Sequence, residues 1–452
     1  MQNPTEELYE WHRNHAWMPF TQMQLLGNPP IIESGQGVYL RTRDGREIID
    51  AIGSWWVTIH GHSHPRINAA IKDQLDRLEH VIYAGMTHEP ALRLGHRLSA
   101  LTNHHLPRCF FSDNGSTAVE IGLKMAFQYF LNTGRPEKSE FVCLSGGYHG
   151  DTIGAMSVGA RSVFHEAFAP LLFDAHQVPA PRVEFRNQTD PDLVSSAIAA
   201  PIAKLAELFE TRGERICALI LEPLIQGASA GFNIYPAEYL RQVRALCDRH
   251  NVLLIADEVF TGAGRTGHFF ATGRAGVQPD ILALSKGLSG GYLPFAVTLA
   301  TEEIYESFLG TDRRRTLFHG HSMTGSPLGC AAAHASLDVF EEEAVLDRVR
   351  ELERSHAEHL ARLQAGPLGS HIKEVRYMGS VGVVELALEG DYTSEFGWRV
   401  HEAALSQGVL LRPLGPSVYL TPPFVIEPGE LARAYEVMES SVLAVLGARV
   451  PA

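Results

Sequence analysis

Positive charge is scarce in this chain: 38 lysines and arginines stand against 52 aspartates and glutamates, a formal net charge of −14 over 452 residues. Nucleic acid and anionic membrane recruit proteins through basic patches, so this balance disfavours both as partners. The longest basic run, Arg313-Arg314-Arg315, is too short to reverse it and reads as a solvated loop. No apolar stretch approaches the ~20 residues that a membrane-spanning helix needs. The opening segment MQNPTEELYEWHRNH lacks the basic start and apolar stretch of a secretory leader. The cysteines, Cys109, Cys143, Cys217, Cys247 and Cys330, are odd in number and form no C-x-x-C pair. Together these absences predict reduced thiols in a cytoplasmic protein. There is no internal repeat and no low-complexity linker.

Hydrophobic residues make up 45% and charged residues 20%, the balance of a globular enzyme rather than of a disordered chain. Short apolar runs alternate with amphipathic segments through the middle of the chain. RCFFS (108–112), FVCL (141–144), ALIL (218–221), VLLIA (252–256) and ILAL (281–284) read as buried strands. Helical periodicity covers 116–131, and also 236–250, where Tyr239, Leu240, Val243 and Leu246 share a side. Such alternation predicts an α/β fold with a mostly parallel central sheet. Asp44-Gly45-Arg46 reads as a hairpin turn. Segments near both ends, 1–64 and 344–452, are assigned to one smaller α+β domain flanking a large domain at 65–343.

Ligands of parallel sheets sit at the carboxyl ends of the strands, so the residues just after each run carry the chemical interest. One run delivers Asp257 and Glu258 into a Gly-rich loop, and another ends in Leu284-Ser285-Lys286-Gly287. A carboxylate and a lysine at neighbouring strand ends suit pyridoxal phosphate: the amine forms an imine and the carboxylate keeps the pyridine nitrogen protonated. A structural ion pair is the bland alternative for the same two residues. Ser112-Asp113-Asn114-Gly115-Ser116-Thr117 opens a helix whose first N–H groups could grip a phosphate, although an ordinary helix cap would look the same. Tyr148 follows a further strand, where its ring could stack on a pyridine or simply pack.

Other matches are traps. Gly262–Gly267 fits G-x-G-x-x-G but lacks the following amphipathic helix of a dinucleotide site, and Gly287–Gly291 fits G-x-S-x-G without the helix of a nucleophile elbow. His60, His62 and His64 alternate, but Gly61 and Pro65 argue for a turn, so loop or domain-contact histidines are expected rather than metal ligands. No metal is predicted. Trp55-Trp56 is ordinarily core, or the wall of a small-molecule pocket.

Taken together, DEVFTGAGRTG and PDILALSKGLSGGYLP resemble the class III aminotransferases of the fold-type I pyridoxal-phosphate group. HAWMPFTQM, SWWVTIHGHSHP, MTHEPA, FSDNGSTAVEIGLKMAFQY, GYHGDTIGAMSVG, LEPLIQGASAG and SPLGCAAAHASL resemble the branch that aminates 8-amino-7-oxononanoate for biotin. The resemblance runs from about His15 to the final helix. It implies a ping-pong transaminase in which Lys286 is the Schiff-base lysine and general acid/base. Asp257 then pairs with the pyridinium nitrogen, Tyr148 stacks on the ring, and Gly115 with Ser116 holds the phosphate. Trp55 and Arg412 match substrate positions, Arg412 meeting the oxononanoate carboxylate. A homodimer is implied, with Gly320, His321 and Ser322 reaching the partner's cofactor phosphate. The nearest rival is another class III ω-aminotransferase acting on a diamine or ω-amino acid.

Two departures bear on the amino donor. Family members that use S-adenosylmethionine typically read W-x-P-Y-T and H-G-P-T, where this chain has Trp17-Met18-Pro19-Phe20-Thr21 and His319-Gly320-His321-Ser322. Both resemble the lysine-using variants, and the hydroxyl missing at Phe20 removes a hydrogen-bond partner from the pocket. Lysine is therefore expected as an alternative donor.

Overall fold

Seven short strands, apolar along nearly their whole length, form the central sheet of a computed structural model that describes residues 4–447. In spatial order they are Arg108–Ser112, Ala296–Ala300, Ile281–Leu284, Leu253–Asp257, Ile216–Leu221, Glu140–Leu144 and His176–Val178. All run parallel except Ala296–Ala300, which is antiparallel to both neighbours. The five strands expected from the sequence are present with ends shifted by no more than two residues. The antiparallel strand AVTLA was not foreseen, because its small residues and the preceding Pro294 weaken the local signal.

Near-continuous apolarity follows from burial on both faces. Ala218, Ile220, Ile255 and Ala283 pack with the helix Gly115–Asn132, while Leu219, Leu221 and Leu254 pack with Pro191–Arg212 and Ala237–His250. Tyr239, Leu240, Val243 and Leu246 are the buried stripe of the last helix, as the periodicity predicts. A third cluster joins Phe111, Leu282 and Val297 to the helices Glu89–Leu101 and Pro327–Glu342.

Outside this layer lie, besides the two-stranded pair Ile225–Gln226 and Asn233–Ile234, sheets of four and of three strands. Ile32–Gln36, Tyr39–Thr42 and Glu47–Asp50 form an antiparallel meander, turning at Gly45 with φ +85°, and Val409–Leu410 adds to it in parallel. Strands from opposite ends of the chain thus share one sheet. Ile372–Met378, Val381–Leu386 and Ser417–Leu420 form the other. Its core includes residues of the helices Val345–Ala365, Glu395–Ser406 and Pro428–Gly447. Arg313–Arg315 is a short 3-10 turn rather than a plain loop, and the Arg315 guanidinium is engaged by the Ser307 and Asn132 carbonyls. Among the described residues no helix is long and apolar enough to cross a membrane.

Candidate active site

Leu253–Asp257 and Ile281–Leu284 are adjacent and parallel, with Asp257 opposite Ala283, so Asp257 and Lys286 emerge at the same edge of the sheet. Both line a cavity of about 650 Å³, together with Phe20, Trp55, Gly115, Ser116, Tyr148 and Arg412. Eight of the residues singled out from sequence meet there. Gly320, His321 and Ser322 do not line it; they stand in a separate loop, where the His321 imidazole is 3.7 Å from the Asp113 carboxylate. That loop carries Phe318 and Met323, 75% and 51% exposed.

Asp257 is buried. Its carboxylate accepts from His149 Nδ1 at 2.7 Å and from the Val259 N–H at 3.0 Å. Glu258 projects the other way, accepting from Thr261, from Thr272 Oγ1 and from the N–H groups of Ala271 and Thr272. It thereby ties the Gly262–Gly267 loop to a short helix, Ala271–Ala275, which the sequence reading had not placed there. Strand alternation thus gives one carboxylate to the cavity and the next to the fold.

Burial pushes the Lys286 amine down to about 8, against the opposing charges of Asp257 and Glu222, with Arg265 adding to the depression. The ammonium sits 4.9 Å from the Trp56 ring and 5.8 Å from Phe260. Lys286 itself has φ +42°, a left-handed backbone turn that aims its side chain out of the strand line.

The helix Gly115–Asn132 begins at the cavity wall. Asn114 caps it by accepting from the Thr117 N–H, and the Thr117 hydroxyl oxygen in turn accepts from Asn114's own N–H. The cap leaves the earlier N–H groups, at Gly115 and Ser116, for an anion. Gly150 is required beside this turn: with φ +119°, a Cβ there would stand 2.0 Å from Ser116 Oγ.

Trp55 and Trp56 owe their placement to an unusual backbone. Ser54, Trp55 and Trp56 follow Gly53 with φ of 46°, 69° and 74°, three consecutive side-chain-bearing residues in the left-handed region. Each costs on the order of 1 kcal/mol or more and persists only when its surroundings over-determine it. Here Ser54 Oγ donates to the Asp50 carboxylate at 2.7 Å, the Trp56 indole to the Tyr419 hydroxyl at 3.2 Å, and Arg265 Nη2 to the Trp56 carbonyl at 2.5 Å. Arg265, a conspicuous part of the sequence pattern, is buried, and burial pushes it down to about 9. The alternating histidines serve three partners: His60 meets Ser336, His62 meets Asp50 and His64 meets Glu343.

Sequence reasoning passed over Glu222, His149 and Tyr392. Glu222 follows the strand Ile216–Leu221 directly, so the rule about strand ends could have found it. Its buried carboxylate accepts from the N–H groups of Tyr148 and Gly227. Burial pushes it up to about 7, with Asp257's charge adding and His149's opposing. Tyr148 lines the cavity with its hydroxyl bonded to Asp151, and burial pushes that phenol up. Tyr392 had no local signal.

A buried amine with a depressed pKa, a buried carboxylate on the next strand, an anion-ready helix start and a wall aromatic form a donor set that fits pyridoxal phosphate.

A family profile described as Aminotransferase class-III matches residues 26–442. A Synechococcus elongatus relative named adenosylmethionine-8-amino-7-oxononanoate aminotransferase is 46% identical over 423 residues, which cover 93% of this chain and 96% of its own. A crystal structure of an enzyme of the same name from Methanocaldococcus jannaschii superposes with a TM-score of 0.88 at 35% identity, covering 97% of this chain and 99% of its own. An amine transaminase from an uncultivated Pseudomonas species, solved in its PLP-bound form, gives 0.85 at 33% identity over 96% and 98%.

Proposed function

The chain belongs to the class-III aminotransferases, and from that premise we propose that it aminates 8-amino-7-oxononanoate to 7,8-diaminononanoate with pyridoxal phosphate. S-adenosylmethionine, the donor in the relatives' names, or lysine supplies the amino group. The observation that carries the proposal is one cavity holding both the Asp257–Lys286 pair and, at its aromatic wall, the Arg412 guanidinium.

Bound there, the cofactor ring serves as a sink for the electrons left when the reacting carbon loses its proton. Lys286 holds it and moves that proton at Nζ. An amine pushed down to about 8 spends more of its time as free base at neutral pH than an ordinary lysine does. Asp257, held by His149 and the Val259 N–H, would present its carboxylate to the pyridine nitrogen. Gly115 and Ser116 would hold the phosphate, and Tyr148, on the same cavity wall, would pack against the ring. Phe20, Trp55, Phe164 and Tyr392 form the apolar wall that excludes water. Arg412 meets the carboxylate of the oxo acid, which gives the biotin-pathway acid preference over a cationic diamine or a neutral ketone.

The assembly is a homodimer in the cytoplasm, in which Gly320, His321 and Ser322 complete the partner's phosphate site. The exposed Phe318 and Met323 on that loop support a surface that a second copy covers.

The test is a half-reaction on purified, cofactor-loaded protein, following the bound cofactor's visible absorbance with S-adenosylmethionine and with lysine in parallel. Either donor should bleach it, and 8-amino-7-oxononanoate should restore it. Conversion by lysine alone makes Phe20 and His321-Ser322 markers of a changed donor pocket. Loaded protein that answers to neither donor, and only to simple diamines or ω-amino acids, would replace this substrate with the wider ω-aminotransferase activity.

A further inference from the structure

We propose that Tyr392 is a positioning residue for Arg412: its hydroxyl pins one guanidinium nitrogen and leaves another for a substrate carboxylate. The inference rests on Arg412 as the carboxylate anchor.

Arg412 Nη2 donates to the Tyr392 hydroxyl at 2.6 Å and to the Phe20 carbonyl at 3.2 Å. The Tyr392 hydroxyl in turn donates to the same Phe20 carbonyl at 3.2 Å. Its proton is therefore committed to Phe20 and its lone pairs face the cation, which orients the pair and strengthens both bonds. Two rings flank the cation: the guanidinium carbon lies 5.1 Å from the Trp55 centroid and 5.1 Å from Trp398. Ring contact does not by itself set where the nitrogens point; the Tyr392 hydroxyl, the shorter of the two Nη2 contacts, sets it together with the Phe20 carbonyl. Arg412 Nε is buried without a partner, and among the described residues both hydrogen bonds of the guanidinium to protein leave from Nη2. With Nη2 occupied, Nη1 is the nitrogen left for an anion in the cavity that Arg412 and Tyr392 both line.

Tyr392 is held where it must be. Asp391 accepts from the Thr393 N–H and hydroxyl, closing the turn around it. Gly415 packs so closely on this turn that a Cβ there would stand 3.2 Å from the Asp391 carbonyl carbon. The Tyr392 ring also packs on Phe164, with centroids 5.2 Å apart.

The test uses cofactor-loaded enzyme and two unreactive probes of the same length, nonanoate and nonanamide, titrated calorimetrically. Unmodified enzyme should prefer the carboxylate, and Tyr392→Phe, which keeps the ring, should cut that preference about tenfold. Arg412→Ala should abolish it. In turnover, Tyr392→Phe should raise KM for 8-amino-7-oxononanoate about tenfold while kcat moves less than threefold. If Tyr392→Phe keeps the preference that Arg412→Ala loses, the positioning role is wrong and the anchor stands. A preference that survives Arg412→Ala overturns the anchor, and this inference with it. A fall in kcat at unchanged KM also rules out the positioning role.

Discussion

The His149 imidazole and the Asp257 carboxylate meet at 2.7 Å, both buried, at the end of the sheet where Lys286 emerges. Burial pulls the His149 pKa down, but the hydrogen bond and charge of Asp257 outweigh it and the net shift is upward. Across this contact the histidine donates to the Asp257 carboxylate and fixes where it points. His149→Phe removes the donor and leaves a buried carboxylate short of one partner, a loss of about 1–3 kcal/mol. Pyridoxal phosphate should then dissociate about tenfold more readily, read by fluorescence titration of the cofactor-free protein. Affinity unchanged within twofold would show that the pair has no part in cofactor retention.

Lys286→Ala should lose multiple turnover by at least about a thousandfold while still retaining cofactor without a covalent bond. Reduction of loaded protein with borohydride should fix the cofactor on the Lys286 peptide of the unmodified enzyme and on no peptide of the variant. Sustained turnover by the variant would refute the role.

The depressed Lys286 pKa has its own signature. An amine whose pKa lies at about 8 instead of 10.5 reaches its full nucleophilic rate more than two pH units earlier. Reductive methylation of cofactor-free protein with formaldehyde, followed peptide by peptide, should be half-maximal near pH 8 at Lys286. Exposed lysines should still be climbing at pH 10, and a Lys286 profile that tracks theirs would show no depression.

Gly150→Ala tests the phosphate cradle. The new methyl would need to displace Ser116 Oγ, which it would otherwise approach to 2.0 Å, and would sit on a backbone at φ +119°. Cofactor affinity should fall at least tenfold, with far-ultraviolet circular dichroism intact. Gly134→Ala, a glycine at φ +82° with no atom within 4 Å of its Cβ, serves as the control for strain alone.

Acid sensitivity follows from His60 and His356, which burial pushes down to about 3. Their unfolded-state value is 6.5, so below that pH the unfolded chain binds protons that the folded chain refuses. Stability therefore rises with pH from about 3 to 6.5, each residue contributing a slope of up to ~1.4 kcal/mol per unit. Glu222, pushed up to about 7, works in the opposite sense between 4.5 and 7 and offsets one of the two. His356→Gln should therefore flatten the loss of thermal midpoint between pH 6.5 and 5. An equally steep loss in the variant would remove His356 from the account.

Much of the candidate site was legible because its chemistry is local. Asp257 and Lys286 each end an apolar run, and parallel pairing of those runs brings them to one edge. The Gly115 helix start announces itself through Asn114 and Thr117, whose reciprocal cap spans three residues. Burial on both sheet faces wrote the strands as continuous apolar stretches, which is why their positions could be read. Ala296–Ala300 could not, since its small residues after Pro294 leave little local signal, and its antiparallel orientation is a property of the pair and not of the segment.

What the sequence settled by itself, then, is which side chains stand at strand and helix ends, since caps, turns and apolar periodicity act over a few residues. Only the tertiary structure decided the rest. Tyr392 and Arg412 converge on the carbonyl of Phe20 from 372 and 392 residues away. The left-handed run at Ser54, Trp55 and Trp56 stands because Asp50, Arg265 and Tyr419 hold it from outside. Burial, not residue type, pushes Lys286 down to about 8 and Glu222 up to about 7. Desolvation and opposing charge depend on what the folded chain packs around a group, and no local stretch of sequence contains that information.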